Sequence, residues 1–168
     1  MKSNPAPHIL CVNPWIHDFA AYDFWAKPLG LLYLAAFLRK SGISVTYMDC
    51  LDRFHPQQKP GLKVLQDGRG PYRKQSIDLP DGTSDLKKRF SRYGIDPAWF
   101  RRDLEAMDPP DLILVTSLMT YWYTGIQETI ELLREIFPKT AIILGGIYAS
   151  LCTNHARKHA GADDVVAG

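Results

Sequence analysis

Five short apolar runs are separated by stretches of helical character, and this alternation constrains the fold more than any other feature of the chain. HILCVNP (8–14) ends in a turn-forming Asn-Pro, and ISVTYMD (43–49) alternates Ile43, Val45 and Tyr47. PDLILVTS (110–117) and TAIILGG (140–146) are continuous apolar runs, and DDVVA (163–167) is a shorter one. Runs of this length bounded by turn residues read as strands, and those without alternation as strands covered on both faces. KPLGLLYLAAFLRKSG (27–42) has Pro28 for a first helical turn, Arg39 and Lys40 for a last one, and Gly42 for a C-terminal cap. Its apolar residues lie nearly all round, so it is expected to be well buried.

In IDPAWFRRDLEAMD (95–108), Asp96 suits an N-cap and Pro97 the first helical position, while Phe100, Leu104 and Met107 share one face. Ile126, Ile130, Leu133 and Phe137 mark another helix, with Gln127, Glu128, Glu131 and Glu135 on its wet side. SLCTNHARKHAG (150–161) reads as a short helix capped by Gly161. Strand and helix in turn specify an α/β domain. The expected fold is flavodoxin-like (Rossmann-like): a doubly wound, five-stranded parallel sheet of order 2-1-3-4-5, with residues 1–168 as one domain.

Residues 52–94 break the pattern with Pro, Gly and charge of no steady period, too long for an ordinary loop and expected to be an irregular basic insertion. Its bases are Arg53, Lys59, Lys63, Arg69, Arg73, Lys74, Lys87, Lys88, Arg89 and Arg92. Its acids are Asp52, Asp67, Asp78, Asp81 and Asp85, and Tyr72, Phe90 and Tyr93 are interleaved. Such a stretch suits nucleic acid, but a solvated surface or a domain contact is favoured, and no nucleic-acid partner is expected. The whole-chain charge of +2 is too small to demand a polyanion. No apolar run approaches the roughly 18 residues of a membrane span, and MKSNPAPH lacks the apolar core of a secretory signal. Cys11, Cys50 and Cys152 are widely spaced and are expected to be reduced thiols in a cytoplasmic protein.

Ligands of such sheets bind beyond the carboxyl ends of the strands. There the first strand offers Asn13, Pro14, Trp15, Ile16 and His17. The third offers Thr116, Ser117, Leu118, Met119 and Thr120, then Tyr121, Trp122 and Tyr123. The fourth offers Gly145, Gly146, Ile147, Tyr148, Ala149 and Ser150, and Gly168 closes the fifth. These rim segments hold no Lys or Arg, no GxGxxG and no GK[ST], which excludes the usual phosphate sites. Small hydroxyls, glycine backbone and large aromatics suit a big, flat, largely neutral ligand.

PDLILVTSLMT, followed by a helix and AIILGGIYAS, resembles the cobalamin-binding domain. The wider wording, with KPLGLLYLAAFLRKSG, GRGPY, SRYGI and GADDVVAG, is similar to the N-terminal domain of cobalamin-binding radical SAM proteins. The resemblance implies that the nucleotide tail of cobalamin lies between sheet and helices, with the corrin over the strand ends. It places Thr116, Ser117, Leu118 and Thr120 along tail and corrin edge, has Gly145 and Gly146 admit the dimethylbenzimidazole, and continues that wall with Ala149 and Ser150. Asn13, Pro14, Trp15, Met119, Ile147 and Gly168 complete the expected cofactor-binding set.

Two departures qualify the resemblance. The D-x-H-x-x-G segment that supplies the lower cobalt ligand in classical members is absent: NPWIHDFAAYDFW contains His17 without its partners. Base-off binding without a histidine ligand is therefore expected, with Trp15 or Ile16 a candidate to lie under the corrin. CxxxCxxC is also absent. S-adenosylmethionine and a [4Fe-4S] cluster are expected only in a catalytic domain following residue 168, together with the final helix of the sheet, and the insertion is expected to pack on that domain. The implied reaction is radical methyl transfer or a related rearrangement. Two alternatives stay open: a non-catalytic cobalamin carrier or sensor, and a cobalamin-free substrate- or partner-binding domain with Tyr121, Trp122 and Tyr123 as its recognition patch.

Overall fold

The computed structural model describes residues 6–58, 64–80 and 88–168, so Lys59, Lys63, Asp81, Asp85 and Lys87 of the insertion lie outside the described residues. The first strand, β1 (His8–Asn13), is followed by the short β2 (Ile16–Asp18) and β3 (Tyr22–Asp23), the helix α1 (Leu29–Lys40) and β4 (Ser44–Asp49). The insertion contributes β5 (Gly70–Pro71), β6 (Lys74–Ser76) and β7 (Ser91–Tyr93). Then come α2 (Pro97–Glu105), β8 (Leu112–Val115), α3 (Tyr123–Ile136), β9 (Ala141–Leu144), α4 (Ile147–Leu151), α5 (Thr153–His159) and β10 (Asp164–Val165).

The five main strands lie in the order β4-β1-β8-β9-β10, all parallel. In chain order that is 2-1-3-4-5, the doubly wound arrangement the alternation specified. Alternation of side chains gives the sheet two unequal faces. Leu10, Val12, Ile113, Val115, Ile142, Leu144 and Val165 point into the larger core. There they meet Phe100 and Leu104 of α2, Ile126, Ile130 and Leu133 of α3, and Ala156 of α5. Ile9 and Cys11 point the other way, to a small cluster completed by Leu31 and Ala35 of α1.

That second face corrects the expectation for α1. Only Leu31 and Ala35 of the helix are buried, while Leu29, Tyr33 and Phe37 are 65%, 78% and 66% exposed. The helix packs on the β1–β4 side of the sheet, and its apolar residues turned away from the sheet are left exposed among the described residues. The C-terminal end behaves as the sequence specified: Gly42 takes φ +82 and its N–H bonds the Arg39 carbonyl. At α2, the Asp96 side chain accepts the Ala98 N–H and Pro97 occupies the first turn.

The single helix expected over 150–161 is two, broken at Cys152 (φ −125, ψ 43). The Thr153 hydroxyl donates to the carbonyls of Ala149 and Ser150, a local bond that competes with the helical ladder. The insertion is also less irregular than expected. β6, β7 and β2 form an antiparallel sheet, and β5 pairs with β3. Tyr72, Phe90 and Tyr93 are buried in this domain, so their ring faces are already covered. No described helix is long and apolar enough to cross a membrane.

Candidate functional site

Period-two alternation decides which rim residues share a space. Leu114 of β8 and Thr116 just after it lie on the α1 side, as do Ile143 of β9 and Gly145 just after it. Facing them are Gly30, Leu31 and Leu34 of α1, with Gly146 and Val166 at the far edge. Together they line a groove of about 390 Å³ between α1 and the sheet, reaching the carboxyl ends of the strands. Its walls are hydrocarbon except for the strand-end backbone and the Thr116 hydroxyl.

The two glycines of AIILGGIYAS do different things. A methyl group at Gly145 would meet no atom within 4 Å, so this residue forms the bare floor of the groove. At Gly146 (φ +96) the same methyl would stand 2.4 Å from the Ser117 carbonyl oxygen and 2.7 Å from its nitrogen. The protein's own backbone comes close to Gly146. The Ile147 N–H bonds that Ser117 carbonyl at 2.8 Å, which joins the two strand ends. Both glycines line the groove, but only Gly145 leaves open space where a side chain would stand, and Gly146 is needed by the fold.

The other expected site residues divide. Ser117, one residue out of phase with Thr116, is buried, and its hydroxyl donates to the Gly145 carbonyl and accepts the Ala149 N–H. Ala149 is buried as well. The Ser150 hydroxyl donates to the Gly146 carbonyl and accepts the Gly168 N–H, which ties the exposed end of the fifth strand to the fourth. Met119 and Ile147 are exposed on the rim, and Thr120 opens a 3-10 turn beside them. Asn13, Pro14, Trp15 and Leu118 line a separate cleft of only about 10 Å³, too small for a cofactor.

Trp15 is 1% exposed, its indole N–H donates to the Ile95 carbonyl, and its ring packs edge-on against Phe100. Ile16 is buried against Leu51, Tyr72 and Tyr93. Neither presents a surface for a corrin, which corrects the idea that one of them lies beneath it. Sequence reading passed over the α1 wall of the groove. Its signal was the surplus of apolar residues on a helix whose sheet-facing side needs only Leu31 and Ala35.

His17 is buried with both ring nitrogens in contact: Nδ1 with Thr124 Oγ1 at 3.1 Å and Nε2 with Glu128 Oε2 at 2.8 Å. Arg92 from the insertion also pairs with Glu128 and stands over the Trp15 ring. Gly125 makes this packing possible, since a methyl there would lie 2.2 Å from the Trp15 carbonyl oxygen. Burial works to raise the Glu128 carboxyl, but hydrogen bonds from His17 and Arg92 and the Arg92 charge outweigh it, leaving it below its ordinary value. A carboxyl lowered by folding contributes stability above its ordinary value of 4.5 and loses that contribution as pH falls through the folded value. Resistance of the chain to urea is therefore expected to fall below that pH, and Glu128→Gln is expected to flatten this acid limb. An unchanged acid limb would remove the carboxylate from the account.

Residues 96–168 match the family model described as the B12 binding domain. The matched span runs from the N-cap of α2 through β10, so it includes the Thr116, Gly145 and Gly146 wall and leaves α1 outside. Among solved structures, the chain is similar to a crystal structure described as a novel cobalamin-binding protein from Desulfitobacterium hafniense DCB-2. The TM-score is 0.51 at 13% identity, covering 95% of this chain and 52% of the other, so this chain spans about half the length of that protein. At that identity the likeness shows the fold. No curated protein sequence matches the chain.

Proposed function

We propose that this chain is a cobalamin-binding domain that holds its cofactor base-off, with the nucleotide tail along the groove and no histidine beneath the cobalt. The observation that carries this reading is the bare Gly145 floor beside the Thr116 hydroxyl, inside the span that matches the B12 binding domain. A large neutral ligand seats its apolar end there by shape, and the corrin edge would rest on the exposed rim at Met119 and Ile147. His17 supports the absence of a histidine ligand, because its ring nitrogens already contact Thr124 and Glu128 inside the protein.

The wider reading is that the domain serves a radical SAM enzyme of the cytoplasm, with S-adenosylmethionine and a [4Fe-4S] cluster held by another domain. Cobalamin, when bound, supplies a cobalt centre that accepts and gives up a methyl group. This chain's residues would seat the tail, keep water from it and fix the corrin's orientation. Its own thiols are poorly suited to a cluster: Cys11 and Cys50 are buried, and burial pushes the Cys11 thiol up to about 11 and raises Cys50 well above its ordinary value. Among the described residues, no group of three or more His, Cys, Asp or Glu is placed to hold a metal ion.

Electron paramagnetic resonance of the bound cobalt(II) form tests the ligand assignment. The expected spectrum lacks axial nitrogen splitting and is the same in His17→Ala. Nitrogen splitting that disappears in His17→Ala would overturn the assignment.

A further inference from the structure

Several hydrogen-bonding groups at the strand ends beside the groove are engaged by the protein itself. The Ser117 hydroxyl donates to the Gly145 carbonyl and accepts the Ala149 N–H. The Gly146 carbonyl accepts both the N–H and the hydroxyl of Ser150. The Gly145 N–H is held by the Val115 carbonyl. Of the side chains that line the groove, only that of Thr116 is polar, and its hydroxyl has no hydrogen-bond partner among the described residues. Around it stand Leu31, Leu34, Leu114 and Ile143.

Corrinoids differ in the base that ends their nucleotide tail. A benzimidazole displaced from cobalt has one free ring nitrogen, and a phenolic base has an ether oxygen and no ring nitrogen. A purine such as adenine has an amine and several ring nitrogens. One hydroxyl donates a single bond and accepts little more, so a purine's amine and several ring nitrogens would face hydrocarbon with most of that polar edge unpaired. Leaving buried polar groups unpaired is what gives a pocket strong discrimination.

We infer that the groove selects corrinoids by their lower base, taking benzimidazolyl and phenolyl forms in preference to purinyl ones. The inference rests on the reading that the groove holds the nucleotide tail. Leu34 lies on the half-exposed side of α1, so a polar residue there is compatible with folding and supplies the partner a purine lacks.

The test is a set of dissociation constants for four ligands: cobalamin, a cresolyl cobamide, an adeninyl cobamide and cobinamide, which has no tail. The first two are expected to agree within about threefold, and the adeninyl form to bind about tenfold or more weakly. Cobinamide is expected to be weaker than cobalamin. Leu34→Asn is expected to narrow the gap between cobalamin and the adeninyl form. Equal affinity for cobalamin and the adeninyl form, with cobinamide weak, would overturn base selection while leaving the tail in the groove. Cobinamide binding as tightly as cobalamin, or no binding by any of the four, would overturn the seating of the tail and the selection with it. An unchanged gap in Leu34→Asn would count against this groove as the seat of the base.

Discussion

Gly145→Leu is expected to fold as the parent chain does and to lose cobalamin by at least about a hundredfold. The position has no positive φ, and a Cβ added there meets nothing within 4 Å, so the folded protein has room for the side chain. That room is the groove itself. A leucine placed on its floor occupies the volume assigned to the nucleotide tail and leaves the corrin no seated position. Thermal unfolding and a titration with hydroxocobalamin, run on both proteins, read the two halves separately. Unchanged affinity in a folded Gly145→Leu would show that the ligand does not enter the groove.

Its neighbour should give the opposite result. Gly146→Ala is expected to cost about 3 kcal/mol or more of stability, through a positive φ that alanine tolerates poorly and a methyl driven into the Ser117 backbone. The contact at 2.4 Å involves a carbonyl oxygen held by the Ile147 N–H, so neither atom yields without breaking the joint between the third and fourth strand ends. Urea denaturation measures the loss. A stability within a few tenths of a kcal/mol of the parent would show that this joint is loose. Two adjacent glycines thus separate a binding defect from a folding defect by a single-residue shift.

Much of this architecture was legible in the amino acids. β1 announces itself as an apolar run because both of its faces are covered, β8 and β9 because one face is core and the other lines the apolar groove, and Asp96-Pro97 marks the start of α2 by a capping bond that local sequence alone determines. The site was legible only in outline. GG and VTS fall at the sheet edge where the groove opens, but reading VTS as one unit blurred a distinction that strand periodicity contains. Thr116 faces the groove, whereas Ser117 faces the core and bonds Gly145 and Ala149. Applying the alternation of Leu112, Leu114 and Thr116 one residue further would have separated them.

Other features depended on contacts between distant parts of the chain. Trp15 is core because Ile95 and Phe100 meet it, and His17 is engaged because Glu128 reaches it and Arg92 reaches Glu128. Nothing in NPWIHD states those partners. The insertion was hardest to read because its strands are two or three residues long, too short for a period to show, and are held by pairing with β2 and β3. α1 misled for a physical reason: an apolar surface signals that something covers it, and sequence does not say whether that is the protein's own sheet or a ligand. Here the sheet takes Leu31 and Ala35, while Leu34 borders the groove.

The visible absorption spectrum of the chain after incubation with hydroxocobalamin and removal of free cofactor tests the central claim most directly. The account predicts a retained spectrum of base-off type, close to one cobalamin per chain, that is absent from Gly145→Leu. A folded chain that emerges colourless, or one that keeps base-on cobalamin equally well with leucine at position 145, would contradict it.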